Sequence, residues 1–172
     1  MEMVESTAAD NRAAPADTVG LYTPDQRARR DATFWTPVQG VLAPLQFIAF
    51  LVSLVLVVRY LATDAGYAAA TVSILVKTAF LYIIMITGAL WEKAVFDQYL
   101  FAHAFFWEDV VSFLVIALHT AYLWALFTGA LTPAQEMALA LAAYAIYVIN
   151  AAQFVWKLRQ ARLQAAAMEA RA

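Results

Sequence analysis

The sequence predicts an all-α fold: a four-transmembrane-helix bundle with both termini cytoplasmic and a short amphipathic interfacial helix before the first span. Apolar residues make up 64% of the 172 residues and charged residues 14%, whereas soluble domains average about 45–50% and about 25%. Four stretches are long and apolar enough to cross about 30 Å of hydrocarbon. Most lysines and arginines lie in the segments that are predicted to be on one side of the membrane.

A short amphipathic helix is predicted before the first span. Residues 23–26 (Thr-Pro-Asp-Gln) have the pattern of a capping box, with proline at the first helical position. Three arginines and two aromatic residues follow, a mixture that suits the lipid headgroup layer. We expect Pro37 and Pro44 to end this helix and to bend the start of the first span.

The four predicted spans cover about residues 38–61, 67–91, 109–129 and 134–157. They are helical because each backbone amide in lipid must find its hydrogen-bond partner within its own segment. Tight connectors join the first span to the second and the third to the fourth. Each of these pairs is therefore expected to be antiparallel.

The basic residues predict the orientation. Of the 11 lysines and arginines, Arg59 and Lys77 lie inside predicted spans, and Lys157 lies at the very end of the fourth. The others precede the first span, lie in the middle connector or follow the last span. By the positive-inside rule, both termini and the middle connector lie in the cytoplasm.

The segments outside the spans complete the domain division. We predict a mobile polar tail over residues 1–20, one membrane domain over 21–162 and a C-terminal tail over 163–172. The formal net charge of −2 offers no basic field for nucleic acid. The sequence contains no cysteine, which excludes disulfides, iron–sulfur clusters and thiol catalysis.

Two polar residues lie deep within the predicted spans. Lys77 and His119 are each about ten residues from the outer end of their helix, near the bilayer midplane and at matching height. They could hydrogen-bond to each other and join two helices, or His119 could ligate a metal centre. The other histidine, His103, lies in the connector at a different depth, which argues against a haem held by two histidines.

Residues 91–109 combine four carboxylates with a dense set of aromatic rings. A carboxylic acid kept neutral by apolar surroundings can donate a proton, whereas an ordinary aromatic belt with interfacial charges would have a similar composition. Lys77 and Glu92 share one helix face, and Glu108 and His119 share another. If these faces oppose each other, they line a crevice that opens toward the cytoplasm.

Several Trp-rich stretches resemble one known family. They are residues 21–27, 35–44, 91–93, 98–102, 105–109 and 117–123. Together they resemble the 3-vinyl bacteriochlorophyllide hydratase family of purple phototrophic bacteria, over about residues 21–162. The resemblance implies a multi-pass enzyme of the bacterial inner membrane, cytoplasmic or intracytoplasmic, that acts in bacteriochlorophyll a biosynthesis.

The activity that the resemblance implies is that of a hydro-lyase. It adds water across the C3 vinyl group of a chlorophyllide and leaves a 1-hydroxyethyl group. No cofactor of the protein is implied, since the magnesium belongs to the substrate. The expected partners are the chlorophyllide and the lipid bilayer, and other enzymes of bacteriochlorophyll synthesis are candidates; nucleic acid is not.

Hydration of a conjugated vinyl group requires a proton donor and a group that orients water. We expect Glu108 or Glu92 to be the acid and Asp109 or Asp97 to orient the water. We expect His119 to hold the substrate magnesium or an edge carbonyl. The side chains expected to bind the substrate are His119, Lys77, Trp91, Phe105, Phe106 and Trp107.

A competing hypothesis is a non-enzymatic subunit that binds pigment or assists assembly of the photosynthetic apparatus. It would use His119 as a magnesium ligand and the aromatic residues for packing. Four spans with acidic residues at the rim are more than a single-span light-harvesting subunit needs. A transporter has less support, because the sequence shows no repeat symmetry or interrupted helices.

Overall fold

The computed structural model describes residues 21–170, which form five α-helices. They are α1 (Pro24–Ala32), α2 (Trp35–Thr63), α3 (Tyr67–Phe96), α4 (Phe106–Thr128) and α5 (Pro133–Glu169). The predicted mobile tail, residues 1–20, lies outside the described residues.

Helices α2 to α5 are long and apolar enough to cross a membrane, which confirms the four predicted spans. Each helix extends beyond its predicted span at one or both ends. The predicted lengths matched the hydrocarbon layer alone, whereas a helix continues until its sequence breaks it. Alanine, glutamine and arginine after residue 157 favour helix, so α5 continues to Glu169.

Helix α1 begins at the predicted capping box. The Thr23 hydroxyl accepts a hydrogen bond from the Gln26 backbone N–H, and the Thr23 N–H donates to Gln26 Oε1 at 2.9 Å. The expectation that Pro37 ends this helix is wrong, because α1 ends at Ala32. Pro37 lies instead in the first turn of α2, where its missing N–H has no helical acceptor.

The bundle is built from two helical hairpins, since α2 packs along α3 and α4 packs along α5. The first hairpin turns through Asp64 and Gly66, both with positive φ. The second turns at Gly129, with φ of 63°. Helix α5 also contacts α2, and α3 contacts α4, so the two hairpins close around a shared interior.

The interior combines large apolar side chains with hydroxyl groups. The Ser53 hydroxyl on α2 hydrogen-bonds to Ser73 on α3 at 2.8 Å and to Tyr144 on α5 at 2.5 Å. Polar contacts of this kind join helices in lipid, where there is little hydrophobic driving force for association. The surrounding core includes Phe50, Val57, Ile74, Val115 and Tyr122.

Candidate functional site

Buried polar side chains on α3, α4 and α5 face one another inside the bundle. They extend from the middle of the helices to the end that carries the α3–α4 connector, which we call the loop end. The buried members are Lys77, Glu92, Glu108, Asp109, Ser112, His119 and Asn150. The structure thus brings together polar groups of the second and third spans, as the helical faces predict.

Lys77 and His119 form the deepest pair. Their side chains are 0% and 1% exposed, and Lys77 Nζ lies 2.8 Å from His119 Nε2. His119 Nδ1 donates a hydrogen bond to the Val115 carbonyl at 2.8 Å, so Nε2 is the nitrogen that accepts from Lys77. Both ring nitrogens are therefore occupied, and His119 would have to release Lys77 before it could ligate a metal.

Glu92 of α3 and Asp109 of α4 form a carboxyl pair at the loop end. Both are buried, and the two carboxyl groups are close enough to interact electrostatically. Glu92 Oε2 accepts a hydrogen bond from the Ala102 N–H at 3.1 Å, and Asp109 Oδ2 accepts one from the Phe101 N–H at 2.6 Å. Two buried carboxyl groups in contact hold a proton between them, since both cannot be ionised at low cost.

The α3–α4 connector is shaped to serve this pair. Phe101 has a φ of 59°, in the left-handed region that a bulky side chain rarely occupies. Two consecutive backbone N–H groups, of Phe101 and Ala102, thereby point at the two carboxyl groups. Strained backbone of this kind persists where the surrounding contacts hold it in place, and it occurs often at functional sites.

Glu108 has a different partner. Its Oε2 lies 2.6 Å from Lys157 Nζ on α5, and the same ammonium donates to the Ala104 carbonyl. Because Glu108 already forms an ion pair with Lys157, it is less suited to donate a proton than the carboxyl pair. The sequence marks Lys157 only as an orientation signal, because nothing in it places this residue opposite Glu108.

Asp97 lies apart from the other carboxyl groups. It is the exposed C-cap of α3, and Lys93 Nζ contacts its Oδ1 at 2.7 Å. The hydrogen bond from Lys93 lowers the pKa of the Asp97 carboxyl below its ordinary value. Asp97 is therefore a solvated carboxylate at the surface of the bundle.

The four aromatic residues expected to bind substrate divide into two groups. Trp91 and Phe105 pack edge-to-face with ring centroids 5.5 Å apart, inside a cluster with Tyr22. Phe106 and Trp107 are exposed and pack edge-to-face at 5.4 Å. The first group stabilises the packing of the loop end, and only the second presents its rings to the surroundings.

Phe106 and Trp107 belong to an exposed surface that also includes Phe101 and Phe113. Phe101 stacks on Phe113 with an interplanar angle of 12°, and it contacts Phe106 at 5.7 Å. We call these four residues the aromatic surface. Asp109 lies on the same side of α4 as Phe106 and Phe113, three and four residues away. The carboxyl pair is therefore directly behind this surface.

Within residues 21–170, no three histidine, aspartate or glutamate side chains are grouped closely enough to hold a metal ion. Two polar residues of the site, Asn150 and Gln153 on α5, were missed in the sequence. Asn150 interrupts an uncharged apolar stretch, which is a signal that a polar contact is buried there. The partner itself, Ser112 on α4, follows only from the packing of α4 on α5.

Comparison with known proteins identifies relatives of this chain. The family described as 2-vinyl bacteriochlorophyllide hydratase (BCHF) matches residues 22–160. A 2-vinyl bacteriochlorophyllide hydratase of Rhodobacter capsulatus is 73% identical over 150 residues, 87% of each chain. One of Cereibacter sphaeroides is 73% identical over 143 residues, 83% of this chain and 89% of the relative. No solved structure matches.

The pairing of Glu108 with Lys157 predicts a non-additive effect on stability. Lys157→Met leaves the buried Glu108 carboxylate without its counter-charge, and we expect the free energy of unfolding to fall by about 3–5 kcal/mol. Glu108→Gln added to Lys157→Met should recover most of this loss. Unfolding of the four proteins in detergent would measure the cycle, and additive losses would contradict the pairing.

Proposed function

Because this chain belongs to the 2-vinyl bacteriochlorophyllide hydratase family, we propose that it adds water to a ring vinyl group of a bacteriochlorophyllide, leaving a 1-hydroxyethyl group. The expected family is confirmed, with the vinyl position numbered 2 rather than 3. The two relatives are named as hydratases and match most of the chain, which places this enzyme among the hydro-lyases. The 73% sequence identity to these two relatives is the main support for the proposal.

The reaction needs three contributions from the protein. A proton goes to the terminal vinyl carbon, and the resulting cation is delocalised into the macrocycle. The oxygen of a water molecule then bonds to the inner carbon and releases its extra proton to a base. The protein therefore needs an acid that keeps its proton, a base that orients water, and negative charge near the cation.

The carboxyl pair supports these roles best. One proton shared by Glu92 and Asp109 leaves one neutral acid and one carboxylate side by side. We assign Glu92 as the proton donor and Asp109 as the base that orients the water. The backbone N–H groups of Phe101 and Ala102 hold the two carboxyl groups in place.

Glu108 and Asp97 take lesser roles in this proposal. Glu108 forms an ion pair with Lys157, and its role in this proposal is to contribute negative charge near the cation. Asp97 is exposed and paired with Lys93, away from the carboxyl pair. Among the four carboxyl groups of residues 91–109, Asp97 is the one to which this proposal gives no role in the reaction.

The aromatic surface is the place where the substrate macrocycle would lie. Its four rings are exposed and adjacent, and flat conjugated ligands stack on such faces. A pigment on this surface would present one edge to Asp109. Lys77 and His119 are buried deeper and already paired, so they stabilise the helix packing instead of touching the ring.

The orientation proposed from the basic residues places the loop end and both termini in the cytoplasm. Helix α1 would lie in the headgroup layer, since its last turn carries Arg29 and Arg30 and the following Phe34 is exposed. We propose the inner membrane, cytoplasmic or intracytoplasmic, as the location, and other enzymes of bacteriochlorophyll synthesis as partners. The protein needs no cofactor of its own, because the magnesium arrives with the substrate.

The proposed activity and the carboxyl pair are tested together in the detergent-purified protein. We expect a vinyl bacteriochlorophyllide to gain the mass of one water, with a matching change in its absorption spectrum. Glu92→Gln and Asp109→Asn should each lower kcat by about 100-fold or more. The matched control Asp97→Asn should retain the wild-type rate.

Two outcomes would contradict this assignment. A wild-type rate in Glu92→Gln, together with loss of activity in Glu108→Gln, would show that Glu108 is the proton donor. Pigment that co-purifies in a fixed ratio and stays unconverted would indicate a binding protein instead of a hydratase.

The aromatic surface is tested by removing its most exposed ring. Trp107 is 68% exposed, and Trp124 near the opposite end of α4 is 63% exposed. We expect Trp107→Ala to raise KM by about tenfold, because it removes a stacking contact, while Trp124→Ala leaves KM unchanged. Equal effects of the two variants on KM in initial-rate measurements would show that the pigment binds elsewhere.

The orientation is tested with single cysteines, since the natural sequence has none. Ala130→Cys lies in the α4–α5 turn, and His103→Cys lies in the α3–α4 connector; both positions are exposed. We expect a membrane-impermeant maleimide to label Ala130→Cys in intact cells, and His103→Cys only after permeabilisation. The reverse pattern would invert the proposed topology.

A further inference from the structure

Helices α4 and α5 enclose a group of neutral polar side chains. This group lies between the Lys77–His119 pair and the Glu108–Lys157 pair. Asn150 is 8% exposed, and its Nδ2 donates to Ser112 Oγ at 2.8 Å. Gln153 lies one turn further along α5, with its Oε1 buried. Lys157, which pairs with Glu108, follows one turn after Gln153. We call Ser112, Asn150 and Gln153 the amide site.

The hydrogen bonds of the amide site are incomplete among the described residues. Asn150 Oδ1 and Gln153 Oε1 are buried acceptors that receive no hydrogen bond from them. Ser112 Oγ accepts from Asn150, which leaves its own O–H free to donate. An unmet acceptor inside a bundle is destabilising, so such atoms are normally paired with a donor.

We propose that the amide site binds water and that this water supplies the one added to the substrate. A water molecule donates two hydrogen bonds and accepts one or two, which matches two amide oxygens and one hydroxyl donor. A metal cation fits less well, because the Lys157 ammonium lies on the next turn of α5. The second half of this proposal rests on the proposed hydratase function, whereas the first half does not.

The position of the amide site suits a supply of water to the carboxyl pair. Ser112 follows Asp109 by three residues and Glu108 by four, about one helical turn. Water bound there is therefore one turn deeper than the groups proposed to act on the vinyl group. Since each turnover consumes one water, a polar site within the bundle keeps a replacement close to the reacting carbon.

The binding of water is tested without substrate. In the ¹⁵N-labelled full-length protein in bilayers, we expect magnetisation transfer from water to the side-chain amide of Asn150. Gln153→Met removes one acceptor at similar volume and should abolish this transfer. Gln160→Met places the same substitution at an exposed position of α5 and should preserve it. Absence of transfer in the wild-type protein would overturn the proposal.

The supply role is tested by kinetics of the same three proteins. We expect Gln153→Met to lower kcat about 10-fold to 100-fold with KM for the bacteriochlorophyllide unchanged, because water is positioned less well. Gln160→Met should match the wild type. Unchanged kcat in Gln153→Met, despite loss of the water signal, would overturn the supply role. A wild-type protein that binds this water but converts no substrate would refute the hydratase function and not the water site.

Discussion

The structure depends on the cost of placing ionisable groups inside helices that cross lipid. Such a group is tolerated where a neighbouring helix offers it a partner. Three pairs meet this condition: Lys77 with His119, Glu92 with Asp109, and Glu108 with Lys157. Each joins two helices, so the pairs specify which helical faces meet as well as giving each buried group a partner. The packing of α3, α4 and α5 at the loop end follows from them.

The three pairs differ in charge, and the difference suits different tasks. Lys77 and His119 combine an amine donor with a ring whose second nitrogen donates to the backbone, an arrangement suited to packing. Glu108 and Lys157 neutralise each other. Glu92 and Asp109 are like groups held in contact, and like groups keep a proton that neither would keep alone. The proton chemistry proposed for this protein uses the pair with the greatest electrostatic strain.

The α3–α4 connector links that pair to the surface. Phe101 donates its N–H to Asp109 and stacks its ring on Phe113, so a single residue contributes to both the carboxyl pair and the aromatic surface. To make both contacts, Phe101 adopts a positive φ, which strains its backbone. A flat substrate on the aromatic surface and a water at the amide site, one turn deeper along α4, would then approach the carboxyl groups from different directions.

The sequence by itself determined the four spans, the capping box of α1, the family and the shared depth of Lys77 and His119. Hydropathy, cap chemistry and rise per residue are properties of a local segment, so they can be obtained without knowing its neighbours. Tertiary structure alone decided that Glu92 pairs with Asp109 while Glu108 pairs with Lys157, and that Phe105 is buried while Phe106 is exposed. Adjacent residues on a helix point about 100° apart, and a small rotation of one helix against another exchanges their partners, which no local pattern records.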